Sequence, residues 1–335
     1  MSVFRQQGGP RVAVYGANGH TGRFVVRAFV ARGFEVLALG RDQHRLASAG
    51  LPSGVAIDAV ALDDARALDR FLSGVAAVVN CAGPFLDTAE PLVDAAMRTG
   101  VHYLDVTAEQ ESARRLYDRA AQIEAAGIIA MPAMSFWGGL ADLLATATMA
   151  DWAEADEIRI GSALDSWKPT EGTRITGQRN TFPRVVVSEG QLQPLATPPA
   201  RIDWSFAGGF GRQAMVELPF TEAILIGRHL KVHAVRHFMN TAPLSDLRDP
   251  ATPPPHPEDA SGRSSQRFRV EVEVRRGDSL RRGAVEGRDI YGVTAPLVVE
   301  AARRLLKGPA PAGVHAPGAL FDAPSFLAAV APDMP

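Results

Sequence analysis

The chain has 335 residues, of which 46% are hydrophobic and 21% are charged, and its formal net charge is −2 at pH 7. This length fits about two globular domains, and a near-neutral charge without a long basic run argues against nucleic acid or an anionic membrane surface as the main partner. A single cysteine excludes an intrachain disulfide and a cysteine-rich zinc site, while the lack of a signal-peptide pattern and of a run of about 18 apolar residues predicts a cytoplasmic protein without membrane insertion.

Residues 11–131 alternate between strand-like and helix-like patterns. The strand-like stretches are apolar throughout, which is typical of strands that are buried on both faces of a parallel sheet. One of the helices is expected to start with a capping box formed by Asp87 and Glu90. We therefore predict an α/β fold with a Rossmann-type doubly wound parallel sheet, built on six strands: RVAVYG, FEVLALG, VAIDAV, VAAVVNCAG, VHYLDV and GIIAMP.

The pattern changes after Pro132. The stretch FWGGLADLLATATMADWA predicts one helix that leaves the sheet, and DEIRIGSAL and RVVVSEG predict two strands. In QRFRVEVEVRRGDSL, apolar and charged residues alternate before a Gly277-Asp278 turn, which predicts a strand with one solvated face. The second region is thus predicted to be α+β with a mixed or antiparallel sheet, followed by an amphipathic helix that Thr294 caps and that ends at Gly308.

The most informative motif is VYGANGHTGRFVV, in which Gly16, Gly19 and Gly22 follow an apolar strand and open a helical pattern. Glycines also mark plain turns, but the strand–glycine–helix context is that of a dinucleotide-binding loop. There the first glycine allows the turn, the next lets the backbone approach the pyrophosphate, and the third lets helix and strand pack closely. We predict that this turn binds pyrophosphate through Gly16, Asn18, Gly19, His20, Thr21 and Gly22.

The end of the second strand indicates which nucleotide is bound. An acidic residue there takes the ribose 2′-hydroxyl of NAD, whereas an arginine accommodates the 2′-phosphate of NADP. The sequence reads LALGRDQHRL, so Arg41 comes first and Arg45 follows one turn later, with Asp42 beside them. We predict NADP, because a guanidinium donates parallel hydrogen bonds to a phosphate. If Asp42 pointed at the ribose, NAD would be preferred instead.

The segment NCAGPF ends the fourth predicted strand, at the edge where open α/β sheets bind ligands. Cys81 is expected to be a small buried residue rather than a nucleophile, because no adjacent basic group is present to lower its pKa. We predict that this segment lines the nicotinamide half of the cofactor, through Asn80, Cys81, Ala82, Gly83 and Pro84.

Five segments together resemble the saccharopine dehydrogenase/reductase family: VYGANGHTGRFV, GRDQHRL, NCAGPF, HYLDVTAE and GRDIYGVTAPLVVEAARRLL. Within that family they look closest to the bacterial members that include trans-acting enoyl reductases. The resemblance covers residues 11–140 and about 285–310. It implies an NAD(P)-binding Rossmann domain, a second α+β domain for the substrate, a C-terminal segment that returns to the first domain, and hydride transfer to a C=N or C=C bond.

The patterns and the resemblance together predict the domain boundaries. Residues 1–133 form the dinucleotide-binding domain, which residues 288–335 complete. Residues 134–287 form a substrate or dimerisation domain. Within it, the proline-rich stretch 248–265 is a mobile loop by composition.

Short-chain dehydrogenases share the opening glycine motif, so their mechanism needs a separate test. Their chemistry uses a Tyr-x-x-x-Lys pair, in which the lysine lowers the pKa of the tyrosine. The tyrosines Tyr15, Tyr103, Tyr117 and Tyr291 are followed four places later by glycine, threonine, alanine and alanine. The sequence therefore excludes that mechanism.

Hydride transfer also needs a proton donor near the accepting bond. The segment HYLDVTAE is expected beside the cofactor, which makes Tyr103 and Asp105 candidate catalytic residues, with His102 and Glu109 as helpers. In the alternative interpretation Tyr103 packs, Asp105 or Thr107 caps the next helix, and Glu109 lies on the solvated first turn of that helix. Tyr291 is a further candidate, because it reaches the cofactor if its segment folds back.

The stretch SWKPTEGTRITGQRNTF is predicted to be a loop over the cleft. Its basic residues Lys168, Arg174 and Arg179 would clamp a carboxylate or a phosphate of the substrate, and Lys168 is the fourth catalytic candidate. The alternative is a solvated polar loop without a binding role.

Three histidines, His229, His233 and His237, recur at four-residue spacing, which on a helix would place them along one face. No carboxylate motif accompanies them, so we expect a structural or solvated row rather than a metal site. No metal is predicted.

These observations favour an NADP(H)-dependent oxidoreductase that transfers hydride to the C=N or enoyl C=C bond of a small or carrier-bound substrate. The alternative is a non-enzymatic NADP-sensing or scaffold protein on the same fold. The apolar face of the strand at 267–275 packs either within its own domain or against a second subunit, which would give a homodimer.

Overall fold

Two β-sheets organise the chain, which a computed structural model describes for residues 9–333. The first eight residues of the predicted dinucleotide-binding domain, and the last two of its predicted C-terminal completion, lie outside the described residues. The first sheet is parallel and the second is mixed, which confirms the predicted fold class. The division into domains at residues 133 and 287 stays a prediction.

The first sheet is built from β-α repeats. Its strands in the N-terminal part are β1 (Arg11–Tyr15), β2 (Glu35–Gly40), β3 (Ala56–Ala59), β4 (Ala77–Asn80), β5 (His102–Asp105) and β6 (Ile129–Met131). The helices between them are α1 (His20–Ala31), α2 (Gln43–Ala47), α3 (Ala65–Leu72), α4 (Phe85–Thr99), α5 (Gln110–Asp118) and α6 (Ala120–Ala125). The strand order β6-β5-β4-β1-β2-β3 reverses between β1 and β4, and doubly wound sheets bind ligands outside such a reversal.

Apolar side chains are buried on both faces of this sheet. On one face Val14 of β1 belongs to a cluster with Phe29 of α1. On the other face Tyr15 belongs to a cluster with Leu68 of α3 and Leu92 of α4. Successive residues of a strand point to opposite faces, so burial on both faces explains why the strand sequences are apolar throughout.

Helix α4 begins earlier than its sequence predicts. The expected capping box of Asp87 and Glu90 is wrong, because the helix already starts at Phe85. The carboxylate of Glu109, which is distant in sequence, accepts the backbone N–H groups of Phe85 (2.7 Å) and Leu86 (3.2 Å). A side chain from the next β-α unit therefore satisfies the first amides of this helix.

The segment after β6 does not form the single helix that its apolar composition predicts. Residues Phe136–Leu140 make a wide turn in which Trp137 and Gly138 leave helical geometry, with φ of +135° at Gly138. Helix α7 (Ala141–Met149) begins only after this turn. A Cβ atom at Gly138 would lie 2.4 Å from Oγ1 of Thr221, so the kink requires glycine on two grounds.

The second sheet follows α7. Its elements, in chain order with their helices, are β7 (Glu154–Leu164), α8 (Glu171–Arg179), β8 (Val185–Ser188), β9 (Gln191–Pro194), β10 (Arg201–Ser205), β11 (Arg212–Glu217), α9 (Glu222–His229), β12 (Lys231–Asn240), α10 (Ala242–Arg248), β13 (Arg267–Arg276) and β14 (Ser279–Arg288). The order is β10-β11-β12-β7-β13-β14, with β8 and β9 paired beside β12. Strands β7 and β12 are parallel and the other pairs are antiparallel.

Strand β13 has the alternating burial that its sequence predicts. Its apolar residues, Phe268, Val270, Val272 and Val274, are buried. They pack in the same cluster as Leu144 of α7, within the chain itself. The hairpin to β14 turns at Gly277, which has a positive φ of 55°.

The C-terminal elements return to the first sheet. They are α11 (Thr294–Leu305), β15 (Gly313–Val314), α12 (Pro317–Leu320) and α13 (Ala323–Val330). Strand β15 pairs with β6 in parallel, and α11 packs on α1. Thr294 is the first residue of α11 rather than its cap, and it accepts the backbone N–H of Phe136. Within residues 9–333, no helix has both the length and the apolar character needed to cross a membrane.

Candidate active site

A cavity of about 1450 Å³ opens at the carboxyl edge of the first sheet. Residues that follow β1, β2, β4 and β5 line one side of it, and helix α8 lines another. Residues of the turn before α7 and of the segment before α11 complete the lining. Small-molecule sites commonly measure roughly 300–1,000 Å³, so this cavity is large enough for more than one ligand.

The glycine turn after β1 lines this cavity. Gly16 has a φ of +81°, and a Cβ atom there would lie 2.8 Å from the backbone nitrogen of Ala82. A Cβ atom at Gly22 would lie 2.2 Å from the carbonyl oxygen of Gly16. The turn is therefore a cradle that side chains would fill. Gly16, Asn18, Gly19, His20 and Thr21 line the cavity, whereas Gly22 lies beneath it and permits close packing of α1.

Helix α1 starts at the cavity, with Gly19 as its N-cap and no capping side chain. The first amides of a helix have no intrahelical acceptor, and they carry the positive end of the helix dipole. A diphosphate satisfies both features. The residues that are present therefore fit the pyrophosphate of a dinucleotide.

The arginines after β2 lie at the same cavity. Asp42 is the N-cap of α2, where its Oδ1 accepts the N–H groups of His44 (2.9 Å) and Arg45 (3.0 Å). These backbone hydrogen bonds hold the pKa of Asp42 below its usual value. Arg41 is exposed, and Arg45 has one partner nearby, Glu171 at 3.8 Å. Because Asp42 is used as a cap, the arginines are the groups available to a 2′-phosphate.

The segment after β4 only partly lines the cavity. Cys81, Ala82 and Gly83 line it, whereas Pro84 does not. Asn80 is fully buried beneath this segment, and its Oδ1 accepts the backbone N–H of Ala82 at 3.0 Å. Burial raises the pKa of the Cys81 thiol, so the thiol stays protonated, in agreement with a packing role.

Helix α8 occupies the stretch that is predicted to be a loop over the cleft. The stretch does cover the cavity, but residues 171–179 are helical and none of them is buried. Arg174 donates to the carbonyl oxygens of Asp249 and Thr252, and Arg179 pairs with Asp87. Lys168 does not line the cavity. The predicted clamp of Lys168, Arg174 and Arg179 is therefore wrong, because these side chains either do not line the cavity or already have partners within the protein.

Tyr291 is the one predicted catalytic residue that lines the cavity. Its hydroxyl oxygen lies 3.2 Å from Nε1 of Trp167 and 3.0 Å from Oγ1 of Thr173. Its ring packs edge-on against His20 of the glycine turn, with ring centroids 5.3 Å apart. Burial raises the pKa of Tyr291. The hydroxyl and the ring of Tyr291 together join α8 to the glycine turn.

Three aromatic side chains, Trp137, Trp167 and Phe220, line the cavity and form what we call the aromatic wall. Trp137 stacks with Phe220 at 4.1 Å between centroids and with Trp167 at 5.4 Å. The guanidinium of Arg184 lies 5.0 Å from the centroid of Phe220 and also lines the cavity. The sequence does not indicate Trp137, Phe220 or Arg184, because none of them belongs to a recognisable motif, and it assigns no role to Trp167 within the stretch predicted to cover the cleft.

Residues 12–131 match the family model of the saccharopine dehydrogenase NADP binding domain. This part of the chain is similar to the NADP-binding domain of the saccharopine dehydrogenase family. The match runs from within β1 to the end of β6. It agrees with the resemblance found in the sequence and with NADP as the predicted cofactor.

A curated relative agrees with this assignment. The chain is 31% identical over 147 residues to a probable mitochondrial saccharopine dehydrogenase-like oxidoreductase of Arabidopsis thaliana. The match covers 36% of this chain and 32% of the relative, so it spans about one third of that protein's length.

Two solved structures share the fold over nearly the whole chain. Apo saccharopine dehydrogenase (L-Glu forming) of Saccharomyces cerevisiae has a TM-score of 0.65 at 14% identity and covers 96% of both chains. DAP dehydrogenase of C. glutamicum in complex with DAP has a TM-score of 0.51 at 15% identity and covers 95% of both chains. At these identities the likeness concerns the fold alone.

Two predicted catalytic residues of the NADP-binding domain lie away from the cavity. Tyr103 and Asp105 are fully buried, and neither lines it. Oδ2 of Asp105 accepts the hydroxyl of Tyr103 at 3.0 Å, and Oδ1 accepts the N–H groups of Thr107 and Ala133. Burial raises the pKa of Asp105 to about 6. These two side chains therefore join β5 to the segment after β6.

The two helpers of the same segment have structural contacts. Glu109 does border the cavity, but it is buried and caps α4, so its predicted place on a solvated first turn is wrong. Burial also raises the pKa of Glu109. His102 does not line the cavity, and its Nδ1 accepts the backbone N–H of Ile129.

The three histidines do not lie on one helix. His229 ends α9, whereas His233 and His237 are on β12. Nε2 of His229 lies 2.7 Å from Oδ1 of Asp142, and Nδ1 of His237 lies 2.6 Å from Oε1 of Glu222. No group of metal-binding side chains forms within residues 9–333. The expected row of three histidines along one helix is wrong, because the helix ends at His229 and the other two histidines lie on the strand that follows.

Proposed function

We propose that the protein is an NADPH-dependent reductase that transfers hydride to a C=N or C=C bond of a small or carrier-bound substrate. One observation carries this proposal: the glycine turn, Arg41, the segment after β4 and the aromatic wall all line one cavity. The first three suit the cofactor, and the fourth leaves a separate apolar surface for a substrate. The carrier, a homodimer and a cytoplasmic location stay predictions.

The chain's own residues have distinct tasks in this proposal. When NADPH is bound, it supplies the hydride. The first amides of α1 would hold its pyrophosphate, and Arg41 and Arg45 would take its 2′-phosphate. The backbone from Cys81 to Gly83 would border the nicotinamide, and the aromatic wall would exclude water from the accepting bond.

The first experiment tests cofactor choice by measuring the affinities of NADPH and NADH calorimetrically in the wild type and in Arg41→Ala. We expect NADPH to bind about tenfold or more weakly in the variant, as for a lost charge-assisted hydrogen bond, with NADH unchanged. Arg66→Ala is the matched control, because Arg66 is an exposed arginine of α3 outside the cavity. An unchanged NADPH preference in Arg41→Ala would reject the role of Arg41.

The second candidate is an NADP sensor without turnover. One observation favours it: of the four predicted catalytic residues, only Tyr291 lines the cavity, and its hydroxyl already has partners. Incubation with NADPH and a panel of imines and enoyl thioesters separates the two candidates. Oxidation of NADPH with any member supports the reductase. Tight NADPH binding without oxidation across the panel, together with a partner protein whose binding depends on NADPH, supports the sensor.

A further inference from the structure

We infer that the substrate is an organic acid with a flat aromatic group, which packs against the aromatic wall while its carboxylate binds Arg184. This inference rests on the proposed reductase function, because it concerns the substrate end of the same cavity. It goes beyond that function by naming the chemical class that the cavity selects.

The aromatic wall suits a flat group. Trp137, Trp167 and Phe220 expose 9%, 4% and 6% of their surface, and that remaining surface borders the cavity. Stacked and tilted aromatic contacts favour flat partners beyond the apolar area that they bury. A flexible aliphatic chain would gain the buried area alone.

Arg184 supplies the positive charge. It is half-buried, and burial lowers its pKa while the nearby carboxylate of Glu222 acts against this effect. Its Nη1 donates to the carbonyl oxygen of Pro219 at 2.6 Å, which is the one hydrogen bond of the guanidinium to the described residues. A guanidinium has five N–H donors, so most of its capacity is left for a ligand.

Two other charged groups of the cavity lining have partners within the protein, and two more lie at the cofactor end. Glu109 caps α4, and the guanidinium of Arg174 donates to backbone carbonyl oxygens. Arg41 and Arg45 follow β2, at the position where the 2′-phosphate of NADP is read. The guanidinium of Arg184 lies against Phe220 of the aromatic wall, and a planar carboxylate matches its geometry.

The test measures binding to the NADPH-loaded protein by calorimetry, with trans-cinnamate as the flat acid. Cinnamyl alcohol keeps the flat group without the charge, and crotonate keeps the charged unsaturated acid without the ring. We expect cinnamate to bind at least tenfold more tightly than either. In Arg184→Met the ratio of the affinities for cinnamate and cinnamyl alcohol should fall close to one, whereas Arg184→Lys should keep part of this preference.

Controls keep the outcomes distinct. Arg66→Met should leave both affinity ratios unchanged, and NADPH should bind Arg184→Met as it binds the wild type. If NADPH binds the wild type but cinnamate shows no preference over its neutral analogue, the inference fails and the reductase proposal stands. If Arg184→Met weakens NADPH instead, Arg184 contacts the cofactor and the inference is overturned. If the wild type does not bind NADPH, the proposed function itself fails. Should Arg184→Met not fold, the ratio in Arg184→Lys decides.

Discussion

Asp105 is a carboxyl group whose charged form is costly in the folded protein. It is fully buried, and burial raises its pKa to about 6. The folded state therefore holds the proton more tightly than the unfolded state, in which the pKa is near the ordinary value of 3.8. By linkage, this group's contribution to stability is greatest below about pH 4 and is lost as the pH rises through about 6.

The substitution Asp105→Asn should remove this pH dependence. The amide oxygen can still accept the N–H groups of Thr107 and Ala133, so the local hydrogen bonds persist. Relative to the variant, the wild type should lose roughly 2 kcal/mol of unfolding free energy between pH 4 and pH 6.5. Urea unfolding at several pH values measures this difference, with the exposed Asp278→Asn as control. A difference that stays flat with pH would contradict the assignment.

Single residues also show where sequence reasoning succeeds and fails. The choice between Arg41 and Asp42 was open in the sequence, and the side-chain hydrogen bonds of Asp42 decide it. Tyr103 and Asp105 were expected beside the cofactor because they end a strand at the correct edge of the sheet. A position at the end of a strand does not determine towards which face of the sheet the side chain points. Tyr103 belongs to the cluster on the face that α3 and α4 cover.

At the scale of an element, the turn from β1 into α1 depends on backbone that comes very close to β4. Gly16 combines a positive φ of 81° with a potential Cβ contact of 2.8 Å to Ala82. Gly33, just beyond the end of α1, has nearly the same φ of 80° with nothing within 4 Å. A comparison of these two glycines therefore distinguishes the cost of backbone strain from the cost of a steric clash.

We expect Gly16→Ala to be more destabilising than Gly33→Ala by roughly 1–3 kcal/mol, because both variants are strained at positive φ but only one collides with its neighbour. Gly16→Ala should also lose NADPH binding, since the turn must move away from β4. Urea unfolding and NADPH titration of both variants provide the measurements. Equal losses of stability with NADPH binding retained in both would contradict the predicted cradle.

Elements differ in how well local sequence predicts them. Strand β13 was predictable because its apolar residues alternate, and that pattern is a local property. Helix α8 was not, because it has no buried residue whose periodicity could be recognised. Contacts from other segments stabilise this helix: the hydroxyl of Tyr291 hydrogen-bonds to Thr173, and Asp87 forms an ion pair with Arg179. The kink at Trp137 was equally hidden, since the whole segment is apolar.

At the scale of the whole molecule, one apolar cluster joins the two sheets. It runs from Val14 of β1 and Phe29 of α1 through Leu297 of α11 to Val272 of β13. Phe326 of α13 is fully buried in it. Helix α13 packs on both α7 and α11. The two sheets should therefore unfold together.

The substitution Phe326→Ala should lower the unfolding free energy of the whole chain by about 3–5 kcal/mol, as for other buried phenylalanines. Unfolding should remain a single transition, with NADPH binding and helical signal lost at the same denaturant concentration. The half-buried neighbour in Leu327→Ala should cost less. A first transition that leaves NADPH binding intact would show that the C-terminal helices stabilise only the second sheet.

The fold as a whole was predictable because β-α alternation and family motifs occur in order along residues 11–131. The way in which segments of the second sheet contribute to the cavity was not predictable from the sequence. Trp137, Phe220 and Arg184 come from three separate segments, and only tertiary packing places them together. The proposed cofactor end of the cavity is encoded locally, whereas the proposed substrate end is encoded by the topology.

The return of the chain to its first sheet has a consequence for synthesis on the ribosome. The apolar side of α1 is covered by α11, and the edge of β6 is covered by β15. Both covering elements are translated more than 160 residues after β6. A nascent chain therefore carries a bare helix face and an open strand edge while residues 132–293 are added, and exposed strand edges promote aggregation. The first sheet is begun before the second sheet and is completed after it.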